Sequence, residues 1–366
     1  MRRRRSSAGG GGVGAVARGL LLLLAGAALA APAAPLLLST SFATLPQPSA
    51  AVPTQSAAWQ IATTSDLPDG AHYINDHTVV QDPASGAWHL FGIFHAEPAD
   101  PEHEVLFVHA TCNESDPLKW GPRSFVIPAP DDPLRYALQA RPDLNETHIW
   151  APHVLRDEAG ARWVMVFQAS NLAGDNNRAQ IKLAVSDDLA TWARLPSDAE
   201  GGGLLFTDIC VARDPMLVAP SPASGGLWSI FYCRCDNASS MLSGVGVRTS
   251  ADLLTWSAPA MALVLPASLA APSFNSGASE SPFVFARGGE VFLSICAASE
   301  DYMRTWLFAA TAGSGGASFQ PTPVATLDAH CAEYISEGRF VTSAGWAKGG
   351  AFVSNSRGKL LGGDWK

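Results

Sequence analysis

The chain has 366 residues, 47% of them hydrophobic and only 16% charged, with 33 Gly and 26 Pro. That leaves ample apolar material for a large core but too many turn formers for a helical bundle, which is the profile of an all-β domain. The formal net charge of −9 becomes −14 once the five arginines of the first thirty residues are removed (−9 − 5), which excludes nucleic acid and anionic membrane as favoured partners.

In chain order, the first element is a targeting segment. Arg2 to Arg5 and Arg18 form a basic region, Leu20 to Leu29 an apolar stretch, and Ala28-Leu29-Ala30 a small-residue cleavage site. Residues 1–30 are therefore expected to be a signal peptide, with an uncleaved signal anchor as the alternative because apolar residues resume through Leu38. A Pro/Ala/Ser-rich linker follows over 31–57, and the folded domain is expected over 58–366. The sequons Asn113-Glu-Ser115, Asn145-Glu-Thr147 and Asn237-Ala-Ser239 agree with a secretory route and a glycoprotein. Six cysteines, Cys112, Cys210, Cys233, Cys235, Cys296 and Cys331, are compatible with disulfides; Cys233 and Cys235 should share one side of a strand and bond to other strands. Their spacing matches no zinc site, and no metal or cofactor is expected. The expected product is a secreted or secretory-lumen monomer.

From residue 77 onward one phrase recurs: apolar run, turn, second apolar run. Its copies are His77–Val80 with Trp88–Phe94, Pro152–Leu155 with Trp163–Phe167, Pro215–Val218 with Leu227–Tyr232, Pro282–Phe285 with Val291–Ile295, and Ala332–Ile335 with Arg339–Thr342. Each reads as a β-hairpin. Third strands close on a shared tag, Asp116–Trp120, Asp188–Trp192 and Asp252–Trp256, in which Asp bonds the turn backbone and Trp packs between sheets. Fourth strands are expected at Ser124–Ile127 and Met261–Leu265. Five such units predict a five-bladed β-propeller.

In a propeller the start of each innermost strand faces a central funnel. The residues there are Asn75 and Asp76, Trp150 to His153, Arg213 and Asp214, Ser279 and Glu280, and His330. Asp76 and Asp214 are 138 residues apart and Asp214 and Glu280 66, two repeats and one, so the three acids are expected in register. Paired carboxylates are what glycosidic cleavage requires. Trp150 could stack on a sugar face and Arg213 could bind its hydroxyls; His153 and His330 are either site residues or satisfied structural histidines.

Ile74-Asn-Asp-His77 resembles the opening motif of glycoside hydrolase family 32. Ala212-Arg-Asp-Pro215 and Ser279-Glu-Ser-Pro282 are similar to the second and third acidic motifs of families 32 and 43, and Trp150-Ala-Pro-His153 to family 43. The likeness spans about residues 70 to 350. It implies a five-bladed propeller acting on furanosides or xylosides such as arabinan, xylan or fructan. Asp76 would be nucleophile or general base, Asp214 the residue that orients the sugar and tunes its neighbours, and Glu280 the proton donor. Asn75, Trp150, His153, Arg213 and His330 would bind the oligo- or polysaccharide substrate. Because His77 stands where proline is usual, a catalytically degenerate carbohydrate-binding propeller is the alternative.

Overall fold

The computed structural model describes residues 72–96, 103–112, 125–170, 180–209, 212–235, 243–266, 268–269, 279–287, 289–297, 305–327, 332–336, 350–354 and 360–361. The signal segment, the linker, the tag at Asp116–Trp120, Asn113, Asn237, Cys210, Cys331, His330 and Arg339–Thr342 lie outside them. Among the described residues there is no α-helix, and the chain is a β-propeller of antiparallel sheets.

The first blade contains β1 (His72–Gln81), β2 (Trp88–Ala96), β3 (Leu106–Cys112) and β4 (Tyr136–Gln139). The second contains β5 (His148–Asp157), β6 (Arg162–Ser170), β7 (Gln180–Ser186) and β8 (Ala193–Arg194), with β9 (Leu204–Phe206) also pairing to β7. The third contains β10 (Arg213–Val218), β11 (Trp228–Cys235), β12 (Ser243–Ser250) and β13 (Ala260–Val264). The fourth contains β14 (Ser279–Arg287), β15 (Glu290–Ala297), β16 (Thr305–Ala309) and β17 (Ala325–Leu327). Five blades are expected from the repeats. Among the described residues four are complete, and the remaining strands, β18 (Ala332–Ser336), β19 (Gly350–Ser354) and β20 (Leu360–Leu361), make a three-stranded antiparallel sheet.

Local chemistry sets the hairpins. In the first, the Asp82 carboxylate accepts from the amides of Ala84 at 3.0 Å and Ser85 at 3.1 Å, and Gly86 takes a φ of 74° that a side chain would resist. The tags behave alike: Asp188 accepts from the amides of Ala190 and Thr191, and Asp252 from those of Leu254 and Thr255. The indoles of Trp192 and Trp256 donate to the carbonyls of Leu189 and Leu253 and lie edge-on to Phe91 and Phe206 of the preceding blade. The tag thus ends a strand and seals a blade interface. Between blades, Phe107 meets Phe167 edge-on, and Phe231 meets Phe319. Val164, Val166, Ile181, Leu183, Leu217 and Ile230 merge the second and third blades into one core.

Two sequence expectations are corrected. The fourth strand of the first blade is β4, while Ser124–Ile127 supplies only a single bridge, Thr111 to Val126. β18 pairs with β19, and the expected Arg339–Thr342 strand lies outside the described residues. Cys233 is a free buried thiol, which removes the expected disulfide from it to another strand, whereas Cys235 is disulfide-bonded.

Candidate active site

The innermost strands β1, β5, β10 and β14 lie beside one another in that order, and each carries one extra residue at the same level. The register against the second strand slips between Asn75 and His77, Trp150 and His153, Arg213 and Met216, and Glu280 and Phe283. At these bulges Asp76, Ala151, Asp214 and Ser281 take φ values of 24°, 48°, 52° and 49°. Left-handed backbone costs a non-glycine residue about 1–2 kcal/mol. Strain repeated at one level of four blades marks a place where backbone is bent to aim side chains.

This alignment corrects the expected register. Asp76 and Asp214 are equivalent to each other and to Ala151 and Ser281, whereas Glu280 stands one residue earlier, equivalent to Asn75, Trp150 and Arg213. The acids still converge, because Arg213 bridges both levels. Its Nη2 lies 3.3 Å from Glu280 Oε1 and donates to the Ser279 carbonyl at 2.9 Å, and its Nε lies 3.9 Å from Asp214 Oδ2. The Asp214 carboxylate also accepts from the Ser281 amide at 3.0 Å and from the Cys233 thiol at 3.6 Å. Its own amide donates to Gln168 Oε1 at 3.2 Å.

Asp76 is half-buried, and its carboxyl is held well above the ordinary carboxylate range, first by burial and then by the charges of Asp214, Glu280 and Glu104, with Arg213 acting in the opposite sense. Crowded acids cannot all ionise together, so the cluster retains a proton, and burial favours Asp76 as its holder. The Glu280 side chain is 28% exposed, against 10% for Asp214.

Immediately below the bulges, Thr78, His153, Met216 and Phe283 form a buried layer. His153 Nδ1 accepts from the Leu217 amide at 3.3 Å, and its ring lies edge-on to Phe283; burial lowers its pKa to about 3. It is a neutral histidine packed in the layer beneath the bulges. Asn75 sits on β1 immediately before the bulge. The Trp150 indole donates to Glu104 Oε2 at 2.5 Å and stacks on His148.

Two site residues escape sequence reasoning. Glu104 lies on the connection between β2 and β3, outside the repeated phrase. Cys233 faces Arg213 across the β10–β11 ladder, a relation that only the bulged register defines; its thiol is pushed up by burial and then by Asp214. Among the described residues, no group of three or more His, Cys, Asp or Glu side chains is arranged to hold a metal ion.

No protein-family model and no curated protein matches the chain. Solved structures do. A GH43_1 enzyme from Xanthomonas citri superposes with a TM-score of 0.54 at 14% identity, over 84% of this chain and 90% of that one. An α-L-arabinofuranosidase from Lactobacillus brevis gives 0.53 at 14% identity, over 78% and 89%. A GH32 β-fructofuranosidase from Bombyx mori gives 0.51 at 15% identity; the match takes in 77% of this chain but only 60% of that protein's length. With innermost strands that bulge at one level in the four blades complete among the described residues, the chain has the propeller fold shared by these family 32 and family 43 glycoside hydrolases.

Proposed function

We propose that this protein is a glycoside hydrolase acting on furanoside or xyloside bonds, with Asp76, Asp214 and Glu280 as its carboxylates. The observation that carries the reading is the convergence of three acids from innermost strands of three blades: Asp214 and Glu280 flank one guanidinium, and the charges of both bear on Asp76. Their settings fit distinct duties. Asp214 is committed to the Ser281 amide, the Cys233 thiol and Arg213, which suits orienting and tuning. Glu280, the more exposed acid, gives its proton to the leaving oxygen as the glycosidic C–O bond breaks. Asp76 attacks the anomeric carbon, or takes a proton from the water that does. Either role needs Asp76 ionised, so substrate binding must transfer the cluster's proton from Asp76 to Glu280.

The three-stranded sheet β18–β20 is read as the fifth blade, and His330 is proposed from the sequence as its substrate-binding residue. Residues 1–30 as a signal peptide, 31–57 as a linker and the propeller beyond make a secreted monomer. Asn145 of the second sequon is exposed, which supports glycosylation there.

The test is hydrolysis of arabinan, xylo-oligosaccharides, sucrose and fructans by wild type, Asp76→Asn and Glu280→Gln. Each variant is expected to lose roughly 10²- to 10⁴-fold in kcat, and activity unchanged in both rejects the assignment. The anomer first released separates the two roles of Asp76: retention identifies a nucleophile, inversion a base. Glycan binding by the wild type without turnover identifies the alternative, a carbohydrate-binding propeller, for which His77 is the sequence argument.

A further inference from the structure

We propose that Glu104 is a positioning residue that locks the Trp150 ring as the flat wall on which the bound sugar stacks. The proposal rests on the funnel binding carbohydrate, though not on its cleaving it. Trp150 occupies the position before the β5 bulge, the same position that places Arg213 and Glu280 in the acid cluster from β10 and β14. Its ring is partly exposed and backed by His148, with centroids 5.2 Å apart and planes within 11°. A ring so backed still needs its rotation fixed, and the indole N–H supplies that by donating to Glu104 Oε2 at 2.5 Å. Hydrogen bonds to a carboxylate are the short, strong kind.

Glu104 is itself held. It is buried, its carbonyl accepts from the Ile149 amide at 3.2 Å, and the neighbouring Val105 carbonyl accepts from the Ala140 amide at 2.7 Å. The first blade's β2–β3 connection is thereby stitched to the strand that carries Trp150. Indole is an effective sugar platform because its large apolar face contacts sugar C–H groups with only two side-chain torsions to immobilise. Removing the anchor returns that freedom, and the loss falls on binding. Glu104 also adds to the negative field on Asp76, alongside Asp214 and Glu280 and against Arg213.

The experiment uses the full chain with Glu104→Ala, Glu104→Gln, Trp150→Phe and the Glu104→Ala/Trp150→Phe double variant. In ¹⁵N-tryptophan-labelled protein, the indole resonance missing from Trp150→Phe is that of Trp150; it should move in Glu104→Ala and stay near its place in Glu104→Gln, whose amide oxygen still accepts. On the substrate cleaved best, Glu104→Ala and Trp150→Phe should each raise KM about fivefold to tenfold with kcat less affected, as expected for one freed side chain. The double variant should be no worse than either. Glu104→Gln should recover most of the affinity while moving the acidic limb of kcat/KM to lower pH. An unmoved Trp150 resonance in Glu104→Ala, or KM effects that multiply in the double variant, overturns the proposal while leaving the hydrolase reading intact. If the wild type cleaves nothing, xylotriose, arabinotriose and 1-kestose are titrated by tryptophan fluorescence. Binding weakened in Glu104→Ala and Trp150→Phe upholds the platform although hydrolysis fails, and an absence of binding to all three overturns both.

Discussion

At the scale of single residues, the site is a problem of crowded charge. Asp76 is destabilised in its ionised form by burial and by Asp214, Glu280 and Glu104, with only Arg213 opposing them. Replacing Asp214 by Asn removes one repelling charge, so the acidic limb of the kcat/KM profile should move to lower pH in Asp214→Asn, even as the rate falls. A limb that stays put would show that Asp76 is not the group being titrated. The same charge carries a stability cost. The fold favours neutral Asp76, while the unfolded side chain ionises near 3.8. The resulting stabilisation is full below that pH and disappears as the pH rises through the raised folded value. Asp76→Asn stays neutral throughout, so its melting temperature should exceed the wild type's by a few degrees at neutral pH, with no gain below about pH 3.8.

At the scale of elements, the recurring tag ends a strand and seals the interface with the preceding blade. Asp252 is exposed, yet its carboxyl is lowered to about 2 by the Thr255 and Leu254 amides that it holds. Those two bonds position Leu253, which is buried, and Trp256, which donates to the Leu253 carbonyl. Asp252→Ala should therefore destabilise by about 1 kcal/mol, the usual cost of losing a side chain that caps backbone amides. Asp252→Asn, which can still accept, should lose less. Urea unfolding of both variants at neutral pH checks the order. The bulges are the other recurrent element, and they explain how acids one residue apart in alignment reach the same guanidinium. An extra residue turns the strand locally, so the usual alternation of faces does not carry through it.

At the scale of the whole molecule, blades are joined by buried polar clusters as well as by apolar contact. Glu146, fully buried just ahead of β5, receives Lys182 Nζ of β7 at 2.5 Å and Arg194 Nη2 of β8 at 2.7 Å. It also accepts from the Arg141 amide at 2.9 Å, and Arg194 reaches the Gln139 carbonyl of β4 at 3.0 Å. The first and second blades thus share one ionic knot. Glu146→Ala leaves two cations without their carboxylate, and the expected loss is on the order of 3–5 kcal/mol. A loss below about 1 kcal/mol in chemical denaturation would mean that water replaces the carboxylate and the knot does not bind the blades.

Much of the fold was legible because hairpins are local. Apolar runs at strand spacing, turn residues such as Asp82 and Gly86, and the Asp188 and Asp252 tags act within a few residues of themselves, so the sequence alone establishes four paired strand sets and the all-β class. The fourth strand of the first blade was misplaced because a lone apolar run such as Ser124–Ile127 carries no information about which strand it reaches; β4 wins through pairing with β3. The acids were found by their repeat spacing, but only the bulged register decided that Glu280 aligns with Arg213 and Asp76 with Asp214. Glu104 and Cys233 had no local signal at all. What tertiary structure alone decided is which side chains share a dielectric and a charge, because that depends on distances between separate blades, which no run of neighbouring residues encodes.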